Sequence, residues 1–263
     1  MTLKLKTLAA LVALAASSSA FALEGNSTTK GNSSIIFNAW DADAGVSYTL
    51  DTGFNFDDFA TLGSGAFTSN LASDTNWTTF LAASTLSNIV WDVRAWSIPA
   101  NQANAKTTIL TTLQTGEDFD NIVASNGNLG TTAGGIKLAA TGNSSIANNP
   151  VFTSGSYYSA PGGSSGTYAG TYGENWSGKV GFNTIGSIGD SLKFYSLDNS
   201  GGSYNANARQ VTNYVALGSW TLSSSGNLSY SIATVTPVPE PSQNALFFAG
   251  LVVMGALARK RLG

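Results

Sequence analysis

Trp220-Thr221-Leu222-Ser223-Ser224-Ser225-Gly226-Asn227-Leu228-Ser229-Tyr230-Ser231-Ile232 is the stretch that decides the fold class. Apolar side chains stand at every second position on both arms, at 220 and 222 and again at 228, 230 and 232, with Ser or Thr between them. A period of two places alternate side chains on opposite faces of a strand, so one face is dry and the other wet. Gly226-Asn227 supplies the residues that tolerate a positive φ, which a tight reversal needs. The stretch therefore predicts an antiparallel β-hairpin.

Upstream, the same reading gives more strands. Ser34–Trp40 is apolar on both faces, as in a strand buried on both sides, and Gly45–Leu50 alternates Val46, Tyr48 and Leu50 against Ser47 and Thr49. Asn88–Trp96, Ser191–Leu197 and Val211–Leu217 are further strand candidates, with Trp91 and Trp96 as core. Two segments read as short helices. One is capped by Asp74 and runs through Ala83 with Trp77, Phe80 and Leu81 on one face; the other is Ala103–Leu113, where Ile109, Leu110 and Leu113 cluster despite strand-favouring threonines. Tyr157–Gly173, rich in Gly and Tyr, reads as a long loop or an irregular hairpin tip. The predicted fold is mainly β: an antiparallel, jelly-roll-like β-sandwich with minor helical insertions.

Composition narrows the function. Hydrophobic residues make up 43% of the 263, but charged residues only 10%, against about 25% in ordinary domains. Ser, Thr, Asn and Gly replace the missing ions, so the surface is solvated through hydroxyls and amides. Residues 23–236 hold 7 basic and 14 acidic residues, a net charge of −7 with no Lys/Arg cluster. That excludes the electrostatic footprint of nucleic-acid binding. There is no cysteine for disulfides or thiolate chemistry and no histidine for general base work.

The ends differ from the body. Lys4 and Lys6, an apolar run Leu8–Ala16, and Ala20-Phe21-Ala22 before Leu23 follow the order of a secretory signal peptide over residues 1–22. Its expected partners are the Sec machinery and a signal peptidase cutting between Ala22 and Leu23. At the other end, Pro239, Glu240 and Pro241 form a stiff extended segment. Ala245–Ala258 is uninterrupted by charge, and with Ser242, Gln243 and Asn244 reaches the lower limit of about 17 residues for a single transmembrane helix. Arg259, Lys260 and Arg261 then form a basic stop that remains cytoplasmic.

A Pro-Glu-Pro segment, a minimal apolar helix and a basic end, here over residues 237–263, closely resemble the PEP-CTERM sorting signal of Gram-negative bacteria. The openings Asn32–Phe37 and Ala44–Asp51, and Trp220–Tyr230 before the tail, resemble the passenger domains of the same family. The resemblance implies processing by exosortase, a membrane-embedded protease-transpeptidase that cuts near Pro239, Glu240 and Pro241. It also implies release or transfer to the cell surface in species that make exopolysaccharide. It supplies no activity for the 23–236 passenger.

Catalytic motifs fail on their chemistry. Gly162-Gly163-Ser164-Ser165-Gly166 matches a nucleophile elbow, but its serine has no histidine to activate it. Gly173–Lys179 starts like a phosphate loop, but Val180 stands where Ser or Thr must hold magnesium. The carboxylates cluster as Asp41 with Asp43, Asp57 with Asp58, and Glu117 with Asp118 and Asp120. Oxygen-rich clusters of this kind can hold a structural calcium ion, although Asp41–Ser47 has only two of the carboxylates of an EF-hand loop and no closing Glu. No catalytic residue and no cofactor are predicted. Trp176, Tyr157, Tyr158 and Tyr168 are candidates for stacking on sugar rings. The expected function is that of an exported, exosortase-processed surface or matrix protein associated with exopolysaccharide, biofilm or floc. A carbohydrate-binding module is the alternative, and a polysaccharide-active enzyme comes third.

Overall fold

A computed structural model describes residues 34–56, 59, 67–97, 108–114, 116, 155–162, 168–171, 183–199 and 211–232. The chain divides into two compact units, Met1–Ala233 and Thr234–Gly263, and every described residue belongs to the first. The processing residues Ala20, Ala22, Leu23, Pro239, Glu240 and Pro241, and the basic stop Arg259, Lys260 and Arg261, lie outside the described residues. Among the described residues no helix is long and apolar enough to cross a membrane.

The fold is mainly antiparallel β. Its strands are β1 (Ser34–Asp41), β2 (Val46–Asn55), β3 (Phe67–Asn70), β4 (Ile89–Ser97), β5 (Thr108–Leu113), β6 (Ser156–Ser159), β7 (Gly186–Ser187), β8 (Ser191–Asn199), β9 (Val211–Leu222) and β10 (Asn227–Ile232). They form one hydrogen-bonded sheet in the order β3-β10-β9-β8-β5-β4-β1-β2-β6, with β7 pairing β4 off that path. The sheet curls until strands from its two ends meet: Phe54 of β2 and Phe67 of β3 stack edge-on at 5.8 Å. Curling follows from the twist that accumulates over many strands and from the drive to bury one apolar face.

Helix α1 (Thr75–Ala83) covers part of the hollow. As the sequence predicts, Asp74 caps it, with Oδ1 accepting from the Asn76 N–H at 2.7 Å. Trp77 and Phe80 point inward, and Trp77 meets Tyr48 edge-on at 5.1 Å. On the far side Phe59 packs against Phe194 and Tyr230 at 5.0 and 4.8 Å. Interlocked rings of this kind contribute about 0.5–1.5 kcal/mol per pair beyond their buried area.

Three segments depart from the sequence reading. Ala103–Leu113 is not a helix, because Thr108–Leu113 is strand β5; residues 103–107 lie outside the described set. The β-branched threonines win because a neighbouring strand accepts them: the Thr112 hydroxyl receives the Val93 N–H at 3.1 Å and donates to the Thr184 carbonyl at 2.8 Å. Within the expected loop Tyr157–Gly173, residues 157–159 belong to edge strand β6, and Ala169–Thr171 is a one-turn 3-10 helix. Val211–Leu217 and Trp220–Leu222, read as separate strands, are one strand, β9, whose register shifts against β8 at Leu217.

Candidate functional site

Polar chemistry in the described domain gathers in three places, the first being the turn after β1. Asp41 is fully buried, and its Oδ1 accepts the N–H groups of Asp43 and Ala44 at 3.0 and 3.1 Å. Its Oδ2 accepts the Thr85 N–H at 2.8 Å, so one oxygen shapes the turn and the other ties β1 to the connection before β4. Asp43 accepts from the Asn88 amide at 3.0 Å. This pair thus organises a turn with Gly45 at φ 66°, a conformation that glycine adopts without penalty. Among the described residues no three His, Cys, Asp or Glu side chains form a metal-binding group. The Asp57–Asp58 and Glu117–Asp120 clusters lie outside them.

The second place is the outer face of β1, β2, β4 and β5. β1 is buried on both sides along its whole length. One side carries Ile35, Phe37 and Ala39 into the aromatic core; the other carries Ile36, Asn38 and Trp40. On that second side Thr49, Asn38 and Asp92 lie abreast in register across three strands. Thr49 donates to Asn38 Oδ1 and Asn38 donates to Asp92 Oδ1, both at 3.1 Å. Arg94, one step along β4, sits 3.0 Å from Asp92 Oδ2, with both side chains closed to solvent. Its N–H groups do not aim at that oxygen, so charge rather than a well-formed hydrogen bond joins the two. Burial pushes the Asp92 carboxyl above the usual carboxylate range, opposed by the Arg94 charge and the Asn38 amide. Asp51, at the margin of the same face, is pushed up to about 6 by burial, against the Gly53 N–H and the Ser34 hydroxyl.

The third place is the outer face of β8, β9, β10 and β3. Leu192, Phe194, Trp220, Leu222, Leu228 and Tyr230 turn into the core, so the residues between them turn out. In one cross-strand row Ser191 pairs Thr221, Thr221 pairs Ser229 and Ser229 pairs Thr68. In the next row Lys193 pairs Ser219 and Ser219 pairs Ser231. Lys193, Ser231 and Thr68 are exposed and the others half-buried or exposed. Neither row holds a carboxylate or an aromatic ring; the next outward position along β8 is Tyr195, beside Ala216. The sequence singled out aromatic stackers and missed this face. Tyr157, Tyr158 and Tyr168 are half-buried, not exposed: Tyr158 packs on the core and Tyr168 directs its hydroxyl at the Asp41 carbonyl, 3.5 Å away. Trp176 lies outside the described residues, as do Ser164, Ser165 and Gly173–Lys179.

No protein-family model, curated protein or solved structure matches the chain.

Proposed function

We propose that the chain is an exported, exosortase-processed protein of the cell surface or extracellular matrix, working without catalysis among exopolysaccharide in a biofilm or floc. The observation that carries this reading is the ordered tail: Pro239-Glu240-Pro241, the charge-free run Ala245–Ala258, then Arg259-Lys260-Arg261. Moving one basic side chain through the bilayer centre costs at least about 2.5 kcal/mol, and three must pass together. The tail therefore halts export and holds Pro239, Glu240 and Pro241 near the outer surface of the inner membrane. There the prolines keep the backbone extended for a membrane-embedded protease. The signal peptide, removed between Ala22 and Leu23, accounts for entry into the export path.

The body supports this reading by where its charge goes. Asp41, Asp43, Asp74 and Asp92 each hold neighbouring strands, turns or helix ends together. A sheet that curls to face itself across an aromatic core is compatible with a sandwich-like passenger, and we take the jelly-roll-like sandwich as part of the same proposal.

The test is Glu240→Ala in the full chain expressed in its exporting cell. Export should continue while full-length protein accumulates in the inner membrane. Replacing Arg259, Lys260 and Arg261 with Ser should instead weaken membrane retention. Normal processing and release of Glu240→Ala would overturn the reading of the tail as a protease signal.

A further inference from the structure

We infer that the outer face of β8, β9 and β10 docks an acidic polysaccharide, with Lys193 drawing in its carboxylates and the hydroxyls of Ser219, Thr221, Ser229 and Ser231 meeting its ring hydroxyls. The inference rests on the matrix reading above and deepens it by naming the surface and the chemistry of the partner.

The first argument is charge. The body carries twice as many acidic as basic residues, 14 against 7 between positions 23 and 236. An acidic protein repels an acidic polymer unless some surface is cleared of carboxylates. In the two rows that run from Ser191 and Lys193 to β10 the outward residues are Ser, Thr and one Lys, with no carboxylate. The nearest described acid along β8, Asp190, stands before the strand with Oδ2 turned to the Ser187 N–H at 2.7 Å. Lys193 is exposed, and the one ion pair among the described residues is the buried Arg94–Asp92 pair, so its ammonium is not neutralised there. Arg94, the other described cation, is closed to solvent. Among the described residues, Lys193 is thus the cation that a polyanion can reach.

The second argument is geometry. Paired strands place hydroxyls about 4.8 Å apart across the sheet, and alternate residues place them about 6.7 Å apart along it. A grid this fine meets an extended glycan at several successive groups. Thr221 already donates to Ser191 at 3.2 Å, which aligns neighbouring hydroxyls in one row. Each hydroxyl contact contributes only about 0.5–1.5 kcal/mol net, so affinity has to come from many copies engaging one long chain.

The experiment uses the secreted, processed protein in native gels cast with alginate, an acidic polyuronate, or with dextran, a neutral glucan. Alginate should retard the protein and dextran should not, and about 1 M salt, where charges are screened beyond roughly 3 Å, should lift most of the retardation in a parallel pull-down. Lys193→Glu and Ser219→Asp should each weaken alginate binding at least tenfold with unchanged thermal unfolding. Leu86→Glu, which adds the same single negative charge as Ser219→Asp at a side chain 60% exposed in the turn before β4, should leave binding intact. Retardation by dextran equal to that by alginate would overturn the inference, and so would alginate binding that survives in folded Lys193→Glu. A protein processed normally at its tail but indifferent to alginate would overturn this inference alone and leave the sorting reading standing.

Discussion

The two halves of the sheet share one hydrogen-bond ladder and one aromatic core, but their outer faces follow opposite rules. Around β1 the outer face is closed, with Ser47 and Thr49 of β2 and Asp92 and Arg94 of β4 buried beside it. On β8, β9 and β10 it is open, and every outward position from Ser191 to Lys193, Ser219 to Thr221 and Ser229 to Ser231 is a hydroxyl or an ammonium. The difference shows that backbone pairing does not set side-chain chemistry; what covers the strand does. A polar group under cover must find a partner, whereas one in water already has it.

The largest effect should come from the buried pair. Asp92→Ala strands the Arg94 guanidinium in the closed face, and breaking such a pair costs about 3–5 kcal/mol. In a domain of this size that lowers Tm by roughly 10 °C. The double variant Asp92→Leu/Arg94→Met removes both charges and should recover most of the loss. If the single variant unfolds within 1 °C of the wild type, the covered half is not the electrostatic liability that its burial implies.

A pH effect of somewhat smaller size should separate the halves too. The carboxyl of Asp51 is held up at about 6 in the folded chain, above the ordinary value near 3.8. A raised folded value means that burial favours the neutral acid. This contribution is fully present below about pH 4 and is lost as pH rises through 6, on the order of 2–3 kcal/mol across that window. Asp51→Asn keeps a neutral group at all pH and should flatten the fall in Tm between pH 4 and pH 6.5. A slope that persists in Asp51→Asn would assign the pH dependence to another group.

The core side of the open half should prove as intolerant as the covered half. A Cβ added at Gly218 would run into the Ser231 carbonyl and the Tyr230 phenol, whose hydroxyl donates to the Leu217 carbonyl at 2.7 Å. Gly218→Ala should therefore cost about 1–3 kcal/mol through overpacking, read as a lower midpoint in urea. A neutral Gly218→Ala would mean that β9 and β10 can part locally without loss.

Much of the comparison is legible in the residues. Ile35-Ile36-Phe37 beside Ala39-Trp40 announces burial on both sides, and Trp220–Ile232 announces burial on one. β5 is harder, since Ile109, Leu110 and Leu113 fit a helical face as well as a strand. What decides it is Thr112, whose partners Val93 and Thr184 are distant in sequence. β6 escapes because four residues among glycines and tyrosines carry no period. The Lys193 face was missed for another reason: hydroxyls in the β9–β10 hairpin are visible, but the register that sets Lys193 beside Ser219 joins strands some 25 positions apart. The tail, by contrast, is read from sequence order alone and needs no partner in the fold.

The smallest effect sharpens the comparison most, because it sets one residue type against itself. Thr49 and Thr221 both stand on the outer face of a central strand pair and both donate to a cross-strand side chain. Thr49 bonds Asn38 Oδ1 at 3.1 Å under cover; Thr221 bonds Ser191 at 3.2 Å in the open. In Thr49→Ala the Asn38 carbonyl is left without that donor in a closed space, which costs about 1–3 kcal/mol. In Thr221→Ala water takes over the role of the lost hydroxyl, and the change should stay within about 0.5 kcal/mol. Urea unfolding of both variants beside the wild type reads the difference directly. A Thr221→Ala loss equal to that of Thr49→Ala would mean that the open face is covered in solution, and the two halves would then obey one rule. Indifference at both sites would show instead that solvent reaches Asn38, so that burial on the outer face of β1 does not set the cost of its polar groups.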